Sequence, residues 1–532
     1  MFFVIFVVHC VVIFVVHWVL IFVVHYVEVM APVDVVVVGG GIAGLSAAYE
    51  LSRRGLSFVV LESAPRPGGV IFSEQIDGFT IDAGPDSLLI QKPEAIKLCD
   101  DIGLADRLVS TKPPRIAYVQ RAGRLHPLPA ASVLGIPTRI GPFLRTGLFS
   151  WAGKLRMGAE VFVPPRREND DESIGAFIRR RFGSEAVDYL AEPLLAGIHA
   201  GDVDRLSMQS LFPRFVELER RYGSVLRGLR DRGRNESLPT NHLDAPNPQS
   251  PIPNPDGAFR SLKGGLGEMV CALVKAIGTE RVRTNERVET IDGRGPFEVR
   301  TSSGATIVAR SAILAAPAYA TASLLRSRDE AVARLCDEVP YASVATVALA
   351  YRRRSVAHPL DGSGFVVPRT ERSGIMAASW LSSKWPNRAP DDCVLLRTFL
   401  GGMRDPHALD RSDADLIAVS ATALGRVLRI GGQPLLTRVY RWVRANAQHE
   451  VGHRARVAAI ERALSAYPGL FVTGSGFRGV GIPDCIADGR ATARIAGEWL
   501  RNNSDRTPTT QAAAPATEAA APAAMPSEGT GS

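Results

Sequence analysis

Residues 33–62 read VDVVVVGGGIAGLSAAYELSRRGLSFVVLE, and this run fixes what the start of the chain can fold into. Four consecutive valines, Val35 to Val38, suit a strand buried on both faces of a parallel sheet. Gly39, Gly41 and Gly44 follow at G-x-G-x-x-G spacing, just as a helix begins. The first glycine permits a sharp turn, the second lets a pyrophosphate approach the backbone, and the third lets helix and strand pack closely. The helix N-terminus offers unpaired N–H groups and a positive dipole end to the phosphates. Gly55 after Arg53 and Arg54 stops the helix, and Phe58 to Leu61 form a second strand. Glu62 stands at its tip, 18 residues past Gly44, where a carboxylate can accept hydrogen bonds from a ribose diol. A glycine triplet alone is compatible with a purely structural turn. Strand, turn, helix, strand and acid together specify dinucleotide binding.

The next residues favour FAD over NAD. Arg66-Pro67-Gly68-Gly69 continues from the Glu62 strand, and Phe79 to Asp86 reads FTIDAGPD. A second glycine pair just past the ribose-binding acid suits a cofactor lying extended through the protein, with backbone close to it well beyond the pyrophosphate. A simple nicotinamide enzyme would go straight into further strand–helix units. An ordinary surface turn is the competing reading of Arg66–Gly69.

At 532 residues there is room for two or three domains, and 46% hydrophobic with 22% charged residues is ordinary for a globular enzyme. The net charge of +8 comes mainly from arginine spread along the chain. That spread fits an acidic small substrate, an anionic membrane surface or a solvated exterior. No basic–aromatic run points to nucleic acid. Cys10, Cys99, Cys271, Cys336, Cys393 and Cys485 are far apart and form no C-x-x-C, which suggests reduced thiols in a cytoplasmic setting and no metal cage. Residues 4–11, 12–19 and 20–27 are three copies of one octad, VIFVVHCV, VIFVVHWV and LIFVVHYV. Their length and polarity would allow a membrane span, but a basic flank is missing and the repeat resembles a translated tandem duplication. The expectation is that Met30 is the initiator and residues 1–29 a mis-assigned extension; a peptide from them in the native protein would refute it. After Arg501 almost no large apolar residue remains, so a disordered tail is expected, as is a mobile loop between Arg230 and Asp256.

Between the termini the dinucleotide unit is interrupted. Residues 259–277 give a turn and then a helix, and Arg287–Ile291, Phe297–Thr301 and Thr306–Val308 alternate as a three-strand meander. Ala312–Ala315 reads as a short buried strand, and Gly469–Gly474 as another that leads into a helix starting near Ile482. Helical patterns cover Glu94–Asp101, Glu172–Phe182 and Glu185–Leu195. Ile140–Val163 sets Phe143, Leu144, Leu148, Phe149, Trp151 and Leu155 among Arg and Lys; an amphipathic helix at a membrane interface and a core helix with a basic edge both fit. Long strands are expected at Ala342–Tyr351, Val394–Leu400 and Leu436–Trp442. The resulting division is 1–30 repeat extension; 31–92, 257–335 and 455–501 FAD-binding; 93–215 helical; 216–256 loop; 336–454 substrate-binding; 502–532 tail.

Five further segments carry a resemblance: AGPDSLL (Ala83–Leu89), EPLLAGIHAGD (Glu192–Asp202), FRSLKGGLGEM (Phe259–Met269), RWVRANAQHEVGH (Arg441–His453) and GVGIPDCIADGR (Gly479–Arg490). Over residues 33–500 the chain resembles the oxygen-dependent protoporphyrinogen oxidase family of the monoamine oxidase-like flavoproteins. The resemblance implies an α/β fold: a doubly wound, Rossmann-like FAD domain, a mixed-sheet substrate domain and a helical domain that can associate with a membrane. It places Gly39, Gly40, Gly41, Ile42, Ala43 and Gly44 on FAD, with Glu62, Ser63, Gly69 and the turn Gly84, Pro85, Asp86, Ser87. Val288, Trp442, Val480, Gly481 and Ile482 join that set, and Gly197 lies close to the substrate macrocycle. The family's proline after Trp442 is absent here, and Lys92 is the nearest basic residue after the GPDS turn able to pair with a substrate propionate; an exposed helix-entry lysine is its other reading.

The implied reaction is oxidation of protoporphyrinogen IX to protoporphyrin IX, with hydride passing from a carbon bridge to the flavin, protons lost from pyrrole nitrogens, and O2 reduced to hydrogen peroxide. Coproporphyrinogen III, oxidised by the same mechanism, is the first alternative. An amine oxidase, a carotenoid desaturase and a non-catalytic porphyrin-binding flavoprotein are further ones. His199 and His453 fall inside family segments, where packing roles are expected, so no general base and no metal ligand is assigned. Expected partners are the porphyrinogen and O2, without nucleic acid. A homodimer and peripheral contact with the inner face of the cell membrane are compatible with this cytoplasmic setting.

Overall fold

The valine run forms the strand Val33–Val38 inside a seven-stranded sheet, in a computed structural model that describes residues 31–129, 132–133, 136–137, 140–232 and 257–503. The octad repeats, residues 233–256 of the expected loop and the tail from 504 lie outside the described residues. Val35, Val36 and Val37 are fully buried because the strand is covered on both faces and paired on both edges. Phe58–Leu61 runs parallel on one side and Thr306–Leu314 parallel on the other. Val282–Arg283 and Leu470–Val472 extend the parallel part outward. Phe297–Thr301 and Val288–Asp292 add the antiparallel meander.

One expectation from sequence is corrected here. Thr306–Val308 and the strand from Ala312 are not separate but form a single nine-residue strand, Thr306–Leu314. Its first half pairs with Phe297–Arg300 and alternates between buried and half-buried positions. Its second half lies between Val36–Val38 and Leu470–Val472 and is buried throughout. The change from one covered face to two made one strand look like two.

The glycine-turn helix Ile42–Arg53 and the C-terminal helix Ile482–Asn502 pack against each other beside this sheet. Gly489 makes the contact close: a Cβ there would lie 2.2 Å from the Ala43 carbonyl oxygen. The chain therefore brings two helix N-termini, from opposite ends of the sequence, to the same edge of the parallel strands.

A second seven-stranded sheet runs in the order Leu436–Ala447, Tyr341–Arg352, Cys393–Gly401, Ala377–Trp380, Gly364–Val366, Ala117–Arg121, Arg124–Pro127. It is mixed, because Gly364–Val366 pairs parallel with Ala117–Arg121 while its other neighbours pair antiparallel. Residues 93–215 thus contribute strands to this sheet as well as helices. Asp413–Leu428 covers one face, burying Leu416, Leu424 and Leu428 against Leu349, Leu396 and Trp380.

Glu94–Asp101, expected in the helical part, packs against the C-terminal helix in the core of the first sheet. The helical layer holds Ile174–Phe182 and a bent run ending in Glu192–His199, which passes through a π turn at Val187–Ala191. Arg181 and Glu160 pair there with no solvent exposure, and Ser224 Oγ (2.5 Å) and Val225 N (2.9 Å) donate to the same carboxylate. The basic stretch is not one amphipathic helix. It breaks into Ile140–Arg145, Trp151–Gly158 and the short turn Ala159–Phe162. Ser150 caps the second piece, accepting from Gly153 N at 2.9 Å. Leu148 and Phe149 in the break turn into the core, whereas Trp151, Leu155 and Phe162 are 67, 74 and 82 % exposed. Among the described residues no helix is long and apolar enough to cross a membrane.

Candidate active site

The three glycines of the first turn have different neighbours. A Cβ on Gly39, which has φ of 109°, would lie 2.8 Å from the Ala315 carbonyl oxygen, and one on Gly44 would lie 2.0 Å from the Gly39 oxygen. Those two positions are closed by protein. Gly41 has φ of −69° and ψ of 175°, ordinary extended backbone, and a Cβ there would meet nothing within 4 Å. Nothing in the polypeptide requires glycine at 41, so its open side suits a ligand. The helix behind it begins at Ile42 with no side-chain cap and no acid in its first turn. Its leading N–H groups, including that of Ala43, are left for an anion.

The second glycine pair lies against the first. Gly68 N donates to Gly40 O at 2.7 Å, and a Cβ on Gly69 would come 3.4 Å from Gly41 Cα. Glu62 is 9 % exposed, and its carboxylate accepts from Gly40 N (2.6 Å) and Ala64 N (2.8 Å), with Ser63 Oγ at 3.4 Å. The acid is thus fixed at the strand tip beside the turn, with lone pairs to spare for hydroxyls. Glu286 N donates to Glu62 O at 2.9 Å, which brings the start of the meander at Val288 close to this acid.

Gly84 fits only as glycine, since a Cβ would lie 1.9 Å from Val70 O. Trp442 Nε1 and Thr346 Oγ1 both donate to Ala83 O, at 3.1 and 2.7 Å. After Pro85, Asp86 is buried between Lys384 Nζ (2.9 Å) and Arg397 Nη2 (3.2 Å). Lys384 also reaches Ser87 Oγ at 2.8 Å. Burial by itself would raise the Asp86 pKa, but the two cations outweigh it and hold the carboxyl well below the usual range. Arg397 further donates to Gly84 O at 2.6 Å and to Asp82 O. Arg388, equally buried, pairs with Asp82 at 3.0 Å and donates to Lys263 O, Leu262 O and Ser261 Oγ, tying the FRSLKGG segment to the same turn.

Lys384, Arg388 and Arg397 were missed by the sequence reading. Arg397 had a visible signal: it interrupts the apolar run CVLLRTFLG, and a cation inside a buried strand must have an internal partner. Arg66, in the turn after the Glu62 strand, stacks 4.5 Å from the Phe72 ring centroid and donates to Gly69 O at 2.8 Å.

Val480 and Gly481 lead into the second uncapped helix, which starts at Ile482. The segment before it is braced by a stacked histidine pair. His449 and His453 rings lie 3.8 Å apart, with Nε2 of each 2.8 and 2.9 Å from Ser475 O and Phe477 O. Carbonyl partners assign the proton to Nε2 on both rings. Burial, then repulsion from His449, pushes His453 down to about 3, and burial lowers His449 as well. Folded pKa values below the unfolded value mean that the folded state binds fewer protons. The pair's contribution is therefore complete above the ordinary histidine range and is lost as pH falls from about 6.5 toward 3. Thermal melts across that window are expected to show His453→Gln losing stability with falling pH less steeply than wild type, by up to about 1.4 kcal/mol per pH unit. Parallel curves would leave the histidines no part in acid sensitivity.

Opposite this helix, Glu192–His199 lies on the second sheet. A Cβ on Gly197 would come 3.2 Å from Val366 Cγ1 and 3.4 Å from Ala377 Cβ, so the helix backbone sits close to the strands. Ala196, Ala200, Val344 and Met376 form an apolar cluster there with Phe399 and Met403. His199 shows part of its surface to solvent but is closely ringed by protein. Burial, His449 and the Lys92 ammonium push it down to about 4. Lys92 Nζ meets Asp484, in the first turn of the C-terminal helix, at 2.6 Å. Among the described residues no group of histidine, cysteine or acidic side chains could hold a metal ion.

These features fit an extended dinucleotide: two uncapped helix N-termini, an open flank at Gly41, a fixed carboxylate at Glu62 and a glycine-lined second turn. Comparison with known proteins agrees. The profile of flavin-containing amine oxidoreductases matches residues 42–496. A coproporphyrinogen III oxidase of Bacillus subtilis is 38% identical over 477 residues, which are 88% of this chain and 98% of that protein. The chloroplastic protoporphyrinogen oxidase of Nicotiana tabacum is 28% identical, covering 86% of this chain and 84% of its own. A crystal structure from Exiguobacterium, described as a candidate protoporphyrinogen oxidase, superposes with a TM-score of 0.76 at 30% identity over 88% of this chain and all of that one. The cofactor is FAD, and the chain belongs to the family of flavin-containing amine oxidoreductases.

Proposed function

We propose that this chain oxidises coproporphyrinogen III to coproporphyrin III, in haem biosynthesis. The observation that carries the reading is the 38% identity to the Bacillus subtilis coproporphyrinogen III oxidase, set against 28% to the plant protoporphyrinogen oxidase. This reverses the order of the two substrates expected from sequence, where protoporphyrinogen IX came first. In this reading the glycine turn and the GPDS turn hold the cofactor, so they carry no information about the number of substrate carboxylates.

When held in this site, FAD would supply a hydride acceptor that O2 can reoxidise. The protein's part is to orient and to exclude water. Gly39–Gly44, Glu62, Ser63, Gly69 and Gly84–Ser87 hold the cofactor, with Val288, Trp442 and Val480–Ile482. The side-chain position of Gly197 is filled by Val366 and Ala377, so the glycine seats its helix on the second sheet, and the half-buried Phe399 and Met403 beside it offer the macrocycle an apolar wall. His199, with its pKa depressed to about 4, stays neutral near pH 7 and so adds no positive charge beside a ring that must lose protons. Lys92 meets an acidic side chain of the substrate.

The test is to give FAD-loaded protein each porphyrinogen in air and follow porphyrin fluorescence. A higher kcat/KM for coproporphyrinogen III is expected. A higher value for protoporphyrinogen IX would restore the other substrate, and flavin that neither porphyrinogen bleaches without oxygen would make the protein a carrier.

A second observation bears on where the protein works. Trp151, Leu155 and Phe162 are exposed in a segment that also carries the exposed Arg145 and the half-buried Arg156, while Lys154 is buried with its ammonium on Leu144 O. Such a surface suits the interface of an anionic bilayer. The triple change Trp151→Ser, Leu155→Ser, Phe162→Ser is expected to abolish co-sedimentation with phosphatidylglycerol vesicles while flavin content is kept. Unchanged sedimentation would exclude this face, and a halved mass in solution would make it a subunit contact instead.

A further inference from the structure

Lys92 and Asp484 are 392 residues apart in sequence and meet beside the first turn of the C-terminal helix. Lys92 Nζ lies 2.6 and 2.7 Å from the two carboxylate oxygens, and the side chains are 30 % and 31 % exposed. The backbone is shaped around this carboxylate. A Cβ on Gly479 would lie 2.4 Å from Asp484 Cβ, and one on Gly481 would lie 3.0 Å from Asp484 Oδ2. Both glycines of the GVGIPD segment therefore leave room for this side chain. An ordinary exposed ion pair contributes about 0–1 kcal/mol, which gives no reason for two glycines to make way for it.

The surroundings leave the pair as the local charge. His199 and His449 face it, and both are shifted toward the neutral form, chiefly by burial. The buried Cys485 thiol beside it is pushed up by burial and by Asp484, and so also stays neutral. Two of the three N–H donors of Lys92 point at Asp484, so one remains for a ligand. An acidic group arriving here meets an ammonium already compensated by a carboxylate.

We propose that Asp484 is a specificity-determining residue that competes with a substrate carboxylate for Lys92. It keeps this corner from holding an acidic tetrapyrrole as tightly as a bare lysine would, which eases release of a product carrying the same carboxylates. The inference rests on the reading that the substrate is a carboxylate-bearing porphyrinogen. No bond is made or broken at the pair; it acts through charge alone.

The test measures equilibrium binding of coproporphyrin III and protoporphyrin IX to FAD-loaded protein by fluorescence, without turnover. Lys92→Met is expected to raise the Kd for coproporphyrin III about tenfold, and Asp484→Asn to lower it about threefold, as expected for adding or removing one charge at a partly exposed contact. In the Lys92→Met background, Asp484→Asn should tighten binding less than it does beside Lys92, because no ammonium remains to be freed. A flavin-loaded Asp484→Asn protein that binds either equally or more weakly overturns the proposal, since a merely structural pair would weaken on loss of either partner. Should Asp484→Asn emerge without flavin, Asp484→Ser is measured in its place: tighter binding of coproporphyrin III by the flavin-loaded variant supports the proposal, and equal or weaker binding overturns it. Unchanged binding of both porphyrins by Lys92→Met overturns it as well. Wild-type oxidation of the porphyrinogens is read separately. Opposite shifts with no oxidation would sink the enzymatic reading and spare this one, whereas oxidation without opposite shifts would do the reverse.

Discussion

Gly41→Leu is expected to give a folded but colourless protein, while Gly44→Leu is expected to destabilise the fold itself. The two glycines stand three residues apart in one turn and look alike in sequence. At Gly41 the backbone is in an extended conformation open to any residue, and a Cβ there meets nothing within 4 Å. A leucine Cβ therefore clashes with nothing in the polypeptide, and the rest of the side chain enters the flank where the pyrophosphate must approach. Dinucleotide affinity should fall by about three orders of magnitude, or about 4 kcal/mol. At Gly44 a Cβ would lie 2.0 Å from the Gly39 carbonyl oxygen and 3.1 Å from Ala315 Cβ, with nowhere to move between helix and strand. That overlap should cost about 3 kcal/mol or more, at or beyond the upper end of overpacking. The readouts are far-ultraviolet dichroism and melting of flavin-free protein, with flavin absorbance after purification. A yellow, active Gly41→Leu protein would remove the phosphate from this turn.

The contrast shows what sequence makes legible. Local pattern is strong where one element reports on its own surroundings: the four valines gave a doubly covered strand, Glu94–Asp101 emerged with the helix bounds read from its periodicity, and the helix expected near Ile482 begins there. Pattern weakens where burial changes along one element, which is why Thr306–Leu314 read as two strands. It also misleads where apolar residues face opposite ways. In residues 140–163, Leu148 and Phe149 enter the core while Trp151, Leu155 and Phe162 face out, so their shared hydrophobicity suggested a single helix face that does not exist. Contacts between distant segments leave the faintest trace. Lys92 and Asp484, or Arg397 and Asp86, have no sequence spacing that could pair them, because the segments that carry them meet only in the fold. The lone arginine in CVLLRTFLG marks that a partner is needed, but it cannot say which carboxylate supplies it.

Arg397→Met is expected to lose both stability and flavin, and the reason lies in what the arginine leaves behind. The side chain is 2 % exposed and lies 4.7 Å from the Phe399 ring centroid. It serves three acceptors of one turn: Gly84 O at 2.6 Å, Asp86 Oδ2 at 3.2 Å and Asp82 O. Methionine fills much of the volume but donates to none of them, and Asp86 keeps only Lys384 as a counter-charge. Breaking one side of a buried ion pair costs about 3–5 kcal/mol, because the remaining charge has no water to turn to. Lys384→Met should cost less, since Lys384 is 14 % exposed and its loss leaves the two main-chain carbonyls still bonded to Arg397. The pH dependence gives the second signature. In wild type the Asp86 pKa is held below its unfolded value, so its contribution is complete above the ordinary aspartate range and disappears only as pH falls through the lowered value. With Arg397 gone burial works against one cation instead of two, so the folded pKa rises and acid destabilisation must begin at higher pH. Melting curves from neutral to acid pH, with flavin fluorescence as the release signal, check both effects together. An Arg397→Met protein that melts with wild type and stays yellow would mean that Thr346 and Trp442, through Ala83 O, hold the turn without help from the charge across the interface.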